Sequence, residues 1–383
     1  MFSNHTIYLT NLLFFFVSLT LHIANAQWLI GGIPNTVCPL GPCALSEPFG
    51  RQIPRTCIST NRGKRCYYTY VPDCAGEKSP LVYDIHGFIS CPLVSTTYTG
   101  WKELADEKCI VVVWPTVCAL LHLFQSFYFP EWMCYCILSA LNLSYTIYSY
   151  FMKGNVRFFR TNFPCWAVPD DIIGVGSDPI KNASPCCCRN ADVQVNADET
   201  QDLNFLRAIG KQVVRDVPQN SNGTVTIDTK RIYMAGHSNG CMLAMAMAMK
   251  HSDFVAAVCC HIGSIRTNPG IDYSPTPIWF AHGEEDEVVP YEGNDLFPGA
   301  QATFNHLSTI NGCNSTNINA FSQDEGGTVQ TASGCENNAT IEFMTVYKAP
   351  HQCYRGTRIK YDTTADAWNF CARYQSAEEP NLD

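Results

Sequence analysis

Charge is scarce in this chain, and positive charge scarcer still: Asp, Glu, Lys and Arg make up 15% of 383 residues, 25 basic against 34 acidic. The formal net charge of −9 and the lack of any basic run argue against nucleic acid as a partner. Paired C-x-x-C spacings are missing despite 21 cysteines, so a zinc-ribbon framework is not expected. No internal repeat is visible. No Lys or Arg precedes the first apolar run.

That run, Leu12–Val17 continued through Leu19, Leu21 and Ile23, has the length of a signal h-region and ends at Ala24-Asn25-Ala26, an A-x-A cleavage pattern. Residues 1–26 are therefore expected to be a signal peptide, with the mature chain starting at Gln27. An uncleaved anchor would want roughly 20 uninterrupted apolar residues. So many cysteines do not suit a reducing cytosol, which points to disulfides and an extracellular location. Sequons at Asn142, Asn182, Asn222, Asn314 and Asn338 fit a secreted glycoprotein. The mature length suits one sizeable α/β domain, expected as a monomer.

From Gln27 to Cys66 the chain is rich in Gly, Pro and Cys and reads as an irregular, cross-linked lead-in. The main domain is expected over 67–383. Strands are expected at Tyr67–Val71, Leu81–Ile85, Cys109–Trp114, Arg231–Ala235, Phe254–Cys259, Pro277–Ala281 and Ile341–Val346. Helical patterns fall between them at Gly100–Lys108, Asp198–Val214, Asn239–Lys250, Ala300–Thr309 and Thr364–Tyr374. Strands alternating with crossover helices imply a mostly parallel central sheet covered on both faces.

Residues 117–152 break this rhythm, with Glu131 the sole charge and a glut of Phe, Tyr, Leu and Cys. The segment reads as a hydrophobic lid, as a membrane segment, or as a translated intron, since its residues have T-rich codons. Removing Cys118, Cys134 and Cys136 leaves 18 cysteines, an even number that can pair completely, which favours the intron. Membrane association is expected only if the segment belongs to the protein.

The centre of the sequence is Gly236-His237-Ser238-Asn239-Gly240, a G-x-S-x-G pattern directly after an apolar strand and before an Ala/Met-rich helix. Such a pattern arises by chance in roughly one chain of this length in eight, so the setting matters. A strand-to-helix turn this sharp strains the serine backbone and needs small residues two before and two after it. The serine then sits at a helix N-terminus, where N–H groups favour developing negative charge.

A serine alcohol needs a base to take its proton and a carboxylate to orient that base, in this setting in the order Ser, Asp or Glu, His. The loop after Pro277–Ala281 supplies Glu284, Glu285, Asp286 and Glu287. Spacing, and the resemblance below, single out Asp286, leaving the three Glu as solvated loop charges. Of five later histidines, His251, His261 and His282 precede that acid and His306 lies in a helical stretch. His351, in a loop before the last helix, is the expected general base. Two N–H donors should hold the oxyanion: that of Asn239, and that of Phe88 in the His86-Gly87-Phe88 loop.

The chain resembles the secreted esterases that include polyhydroxybutyrate depolymerases and feruloyl or acetylxylan esterases. Ile85-His86-Gly87, the stretch Gly100–Pro115, Cys186-Cys187-Cys188, Arg231–Gly240 and His282–Tyr291 carry the likeness, over about residues 67–374. Joining Trp114-Pro115-Thr116 to Gly154-Asn155-Val156 restores a junction typical of these esterases. The resemblance implies an α/β-hydrolase fold and triad roles for Ser238, Asp286 and His351. It also implies an ester substrate, borne by an extracellular polymer or a small molecule, with no metal or organic cofactor. Two departures stand out. Cys241 replaces a second glycine after Ser-Asn-Gly, and Ala-Pro-His-Gln-Cys replaces Gly-His-x-Trp-Pro around the base, which leaves the pocket wall open. A serine peptidase on the same fold and a non-catalytic binding module are the alternatives.

Overall fold

The computed structural model describes residues 53–60, 63–88, 90, 92–116, 166, 168–169, 201–321, 326–352, 362–380 and 382. All belong to one compact unit drawn from residues 47–123 and 162–383. The expected leader, residues 117–152, Asn142, Asn182, Cys186–Cys188 and Asp198 lie outside the described residues.

Short apolar runs bounded by Gly and Pro form the middle of the sheet. β3 (Ser79–Ile85), β4 (Val111–Pro115), β6 (Ala257–His261) and β7 (Ile278–Gly283) are buried along their whole length, as strands covered on both faces must be. With β5 (Ile227–Gly236) and β10 (Ile341–Val346) they make a parallel core. Antiparallel strands extend both edges: β1 (Arg55–Thr60) and β2 (Gly63–Tyr70) on one, β8 (Ser315–Phe321) and β9 (Gly327–Ser333) on the other. The order across ten strands is β1-β2-β4-β3-β5-β6-β7-β10-β9-β8.

Alternation along each strand divides the core. Leu81, Tyr83, Ile85, Ile232 and Met234 face one layer, with α3 (Gln201–Asn220), most of α4 (Asn239–Lys250) and α5 (Ala300–Ile310). Val82, Tyr233 and Ala235 face the other, with α2 (Trp101–Lys108) and α6 (Thr363–Cys371). A short helix α1 (Pro92–Tyr98) precedes α2.

Several boundaries differ from the sequence reading. The irregular lead-in ends earlier than Cys66: Arg55–Thr60 pairs with Gly63–Tyr68, and a Cys57–Cys66 disulfide ties the two strands. Cys109 is not strand but the left-handed cap of α2 (φ 56°), linked to Cys74. α3 runs six residues past Val214 because Val217 continues the apolar face set by Leu203, Leu206, Ile209 and Val213. Phe254 belongs to a turn and packs edge-on against Tyr83, so the following strand starts at Ala257.

Three further disulfides, Cys241–Cys260, Cys259–Cys371 and Cys313–Cys335, leave every described cysteine paired. The replacement of glycine by Cys241 thus has a structural reason: it bolts α4 to β6.

Candidate active site

Parallel strands send their following loops to one edge of a sheet, so the loops after β3, β5, β7 and β10 collect there. Each carries one part of the site.

The β5–α4 turn is tight. His237 N–H donates to Ile85 O (3.1 Å) and Ser238 N–H to His261 O (2.9 Å), which fastens the turn to both neighbouring strands. Ser238 has φ 56° and ψ −121°, a backbone state that a residue with a side chain rarely adopts. The two glycines have a direct steric cause. A Cβ at Gly236 would lie 2.7 Å from the Gly240 carbonyl, and one at Gly240 would lie 2.6 Å from His86 O. Asn239 is the first residue of α4, so its N–H has no carbonyl one turn earlier to meet.

The loop after β3 lies against this turn. A Cβ on Gly87 would be 3.2 Å from His237 O and 3.4 Å from Ser238 Cβ. His86 is buried and its Nδ1 donates to Gly87 O (2.9 Å). Carbonyl and N–H point opposite ways across a trans peptide, so this bond also fixes the direction of the Phe88 N–H.

The loops after β7 and β10 start level, because Thr345 pairs with His282 and Val346 with Gly283. Of the four acids in the first loop only Asp286 is buried; Glu284, Glu285 and Glu287 face solvent. Asp286 Oδ1 accepts the Val288 and Val289 N–H groups at 2.8 and 2.9 Å, which aims Oδ2 at His351 Nδ1, 2.8 Å away. His282 Nε2 also lies 3.5 Å from Oδ2, but it is fully buried and donates to Val289 O at 2.7 Å. His351 keeps 16% side-chain exposure, unlike the fully buried Asp286 and His282 side chains. His251 caps the end of α4 beside Arg207, and His306 lies within α5.

The remaining histidines near this edge are held neutral. Burial lowers His86 and His261 to about 4, and burial together with His351 and His261 holds His237 well below its ordinary value. The His237 ring meets His351 edge-on at 5.3 Å between centroids. Below the site, buried Asp84 accepts hydrogen bonds from Thr99 Oγ1 and Trp114 Nε1, both at 2.7 Å, and burial raises its pKa to about 6. Among the described residues, no group of three His, Cys, Asp or Glu side chains is arranged to hold a metal ion.

One participant went unnoticed in the sequence. Trp166 donates its indole N–H to His86 O (2.8 Å), and its backbone N–H to the Asn239 carboxamide (2.7 Å). Nothing local to Phe163-Pro-Cys-Trp166 signals that placement.

The strand order, the crossover helices and the strained serine at the end of β5 define the class: the chain has the α/β-hydrolase fold. Within that class its likeness is to esterases. Residues 192–315 match the family described as phospholipase/carboxylesterase. NocK of Nocardia uniformis subsp. tsuyamanensis, a protein named as an esterase, is 26% identical over 103 residues; the match spans 26% of this chain and 28% of NocK. An acetyl xylan esterase from Aspergillus awamori superposes with a TM-score of 0.45 and 12% identity over 83% of this chain and 99% of its own. A ferulic acid esterase from Anaeromyces mucronatus gives 0.39 and 14% over 84% and 90%.

Proposed function

We propose that the protein is a secreted serine esterase acting on carboxylic esters of an extracellular polymer, of feruloyl, acetyl-sugar or polyhydroxybutyrate type. The observation that carries the reading is the strained backbone of Ser238 on the same sheet edge as the Asp286–His351 pair. Because Nδ1 of His351 is engaged by Asp286, Nε2 is the nitrogen available to take the Ser238 hydroxyl proton. Ser238 Oγ then bonds to the ester carbonyl carbon, and the oxyanion is met by the Asn239 and Phe88 N–H groups. The ester C–O bond breaks as His351 returns the proton to the leaving alcohol. Water, deprotonated by His351, attacks the acyl-enzyme and releases the acid and free Ser238.

Secretion is supported by the complete pairing of the described cysteines and by the exposed sequons Asn222, Asn314 and Asn338. No described helix is long and apolar enough to cross a membrane.

The test is covalent labelling with an alkyl fluorophosphonate followed by peptide mapping. A single adduct on Ser238 is expected, prevented by His351→Ala; labelling elsewhere, or none on folded protein, contradicts the reading. Comparing an ester with its matched amide separates esterase from peptidase, and ester preference is expected.

A further inference from the structure

We infer that Trp166 is a positioning residue for the oxyanion hole, holding the loops of both donors through its side chain and its own backbone N–H and C=O. The inference rests on the esterase reading above.

The two donors come from loops far apart in sequence, Phe88 after β3 and Asn239 at the start of α4. Their relative position has to be kept to a fraction of an ångström for both N–H groups to serve one oxygen. Trp166 is bonded to both loops, at His86 on one and at Asn239 on the other. Its Nε1–H donates to His86 O (2.8 Å), and the His86 ring in turn donates to Gly87 O (2.9 Å), which orients the 87–88 peptide. On the other side, the Asn239 carboxamide grips the Trp166 backbone twice: Oδ1 accepts from Trp166 N (2.7 Å) and Nδ2 donates to Trp166 O (3.3 Å). The indole is fully buried and packs against the His86 ring with centroids 4.9 Å apart.

The support continues inward. Arg65 of β2 lies 5.9 Å from the Trp166 ring and 3.8 Å over Phe205 of α3, and it forms a buried 2.6 Å ion pair with Asp202. A buried pair of this kind is a costly way to gain stability. Here it fixes a guanidinium beside the buried indole, 5.9 Å from the ring centroid.

Trp166→Phe keeps the ring and deletes the Nε1 donor, while Asn239→Ser deletes the carboxamide but keeps the backbone N–H. Active sites are counted by fluorophosphonate titration, so that kcat refers to folded enzyme. For both variants kcat on an aryl acetate is expected to fall roughly tenfold with KM within about twofold. Affinity for phenylboronic acid, whose tetrahedral serine adduct places an oxygen where the oxyanion forms, should fall by a similar factor. The pH profile of kcat/KM should stay unchanged, because the His351–Asp286 pair is untouched. An unchanged kcat, a change confined to KM, or a boronate affinity equal to wild type overturns the inference. So does loss of all titratable sites in both variants, which would assign the network to folding. Wild-type protein that neither titrates nor hydrolyses the ester would instead remove the esterase reading itself.

Discussion

His351 and Asp286, 65 residues apart in sequence, meet over 2.8 Å because β10 and β7 run side by side in parallel and in register. The contact is oriented from the acid's side: two backbone N–H groups occupy Oδ1 and leave Oδ2 for the imidazole. Asp286→Asn keeps the shape but can present an amide N–H toward His351 and favour the wrong tautomer. A loss of roughly 10³–10⁴-fold in kcat with little change in KM is expected. Steady-state kinetics on an aryl ester, normalised to titrated sites, measures it.

Gly240→Ala should cost stability. The new Cβ would fall 2.6 Å from His86 O and close to Ile85 O, both backbone atoms that cannot swing aside. Overpacking against backbone costs about 1–3 kcal/mol or more. Urea unfolding should show a lower midpoint with an unchanged slope, and an unaltered midpoint would speak against this turn geometry.

Acid should weaken the fold. His86 and His261 are held at about 4 by burial against 6.5 in the unfolded chain, and His237 is shifted the same way. The unfolded chain therefore binds more protons between pH 6.5 and 4, and stability is lost as the pH falls through that window. Asp84 opposes this. Burial raises it from 3.8 to about 6, so the folded form binds the extra proton between those values. Calorimetry at pH 7.5, 5.5 and 4 should show a falling Tm, and Asp84→Asn should make the fall steeper. A Tm that rises on acidification would contradict the assignment.

The Cys259–Cys371 disulfide spans 112 residues and ties α6 to β6 under the site. Replacing both cysteines with Ala should destabilise by about 2–5 kcal/mol, read by urea unfolding under oxidising conditions. Equal stability would mean that packing of α6 alone suffices.

What the sequence made legible follows from how local each cause is. The elbow could be read because close approach of Ile85 and His86 carbonyls permits only glycine at 236 and 240, and a missing side chain is visible in a sequence. The apolar strands β3, β4, β7 and β10 and the helix α4 could be read because buried elements announce themselves by composition. The β8–β9 hairpin could not, because its residues are largely polar and partly exposed and its pairing rests on backbone hydrogen bonds. α1, seven residues rich in Thr and Ser, carries too short a pattern. Trp166 was missed for a different reason: its bonds to His86 and Asn239 are long-range, and only the folded chain brings the three together.

The most direct test is hydrolysis of a short-chain aryl ester by the purified protein, with Ser238→Ala beside it. Ester turnover that this single change reduces to background is the expected result. Turnover surviving in the Ser238→Ala variant, or none in well-folded wild type that also resists fluorophosphonate, would contradict it.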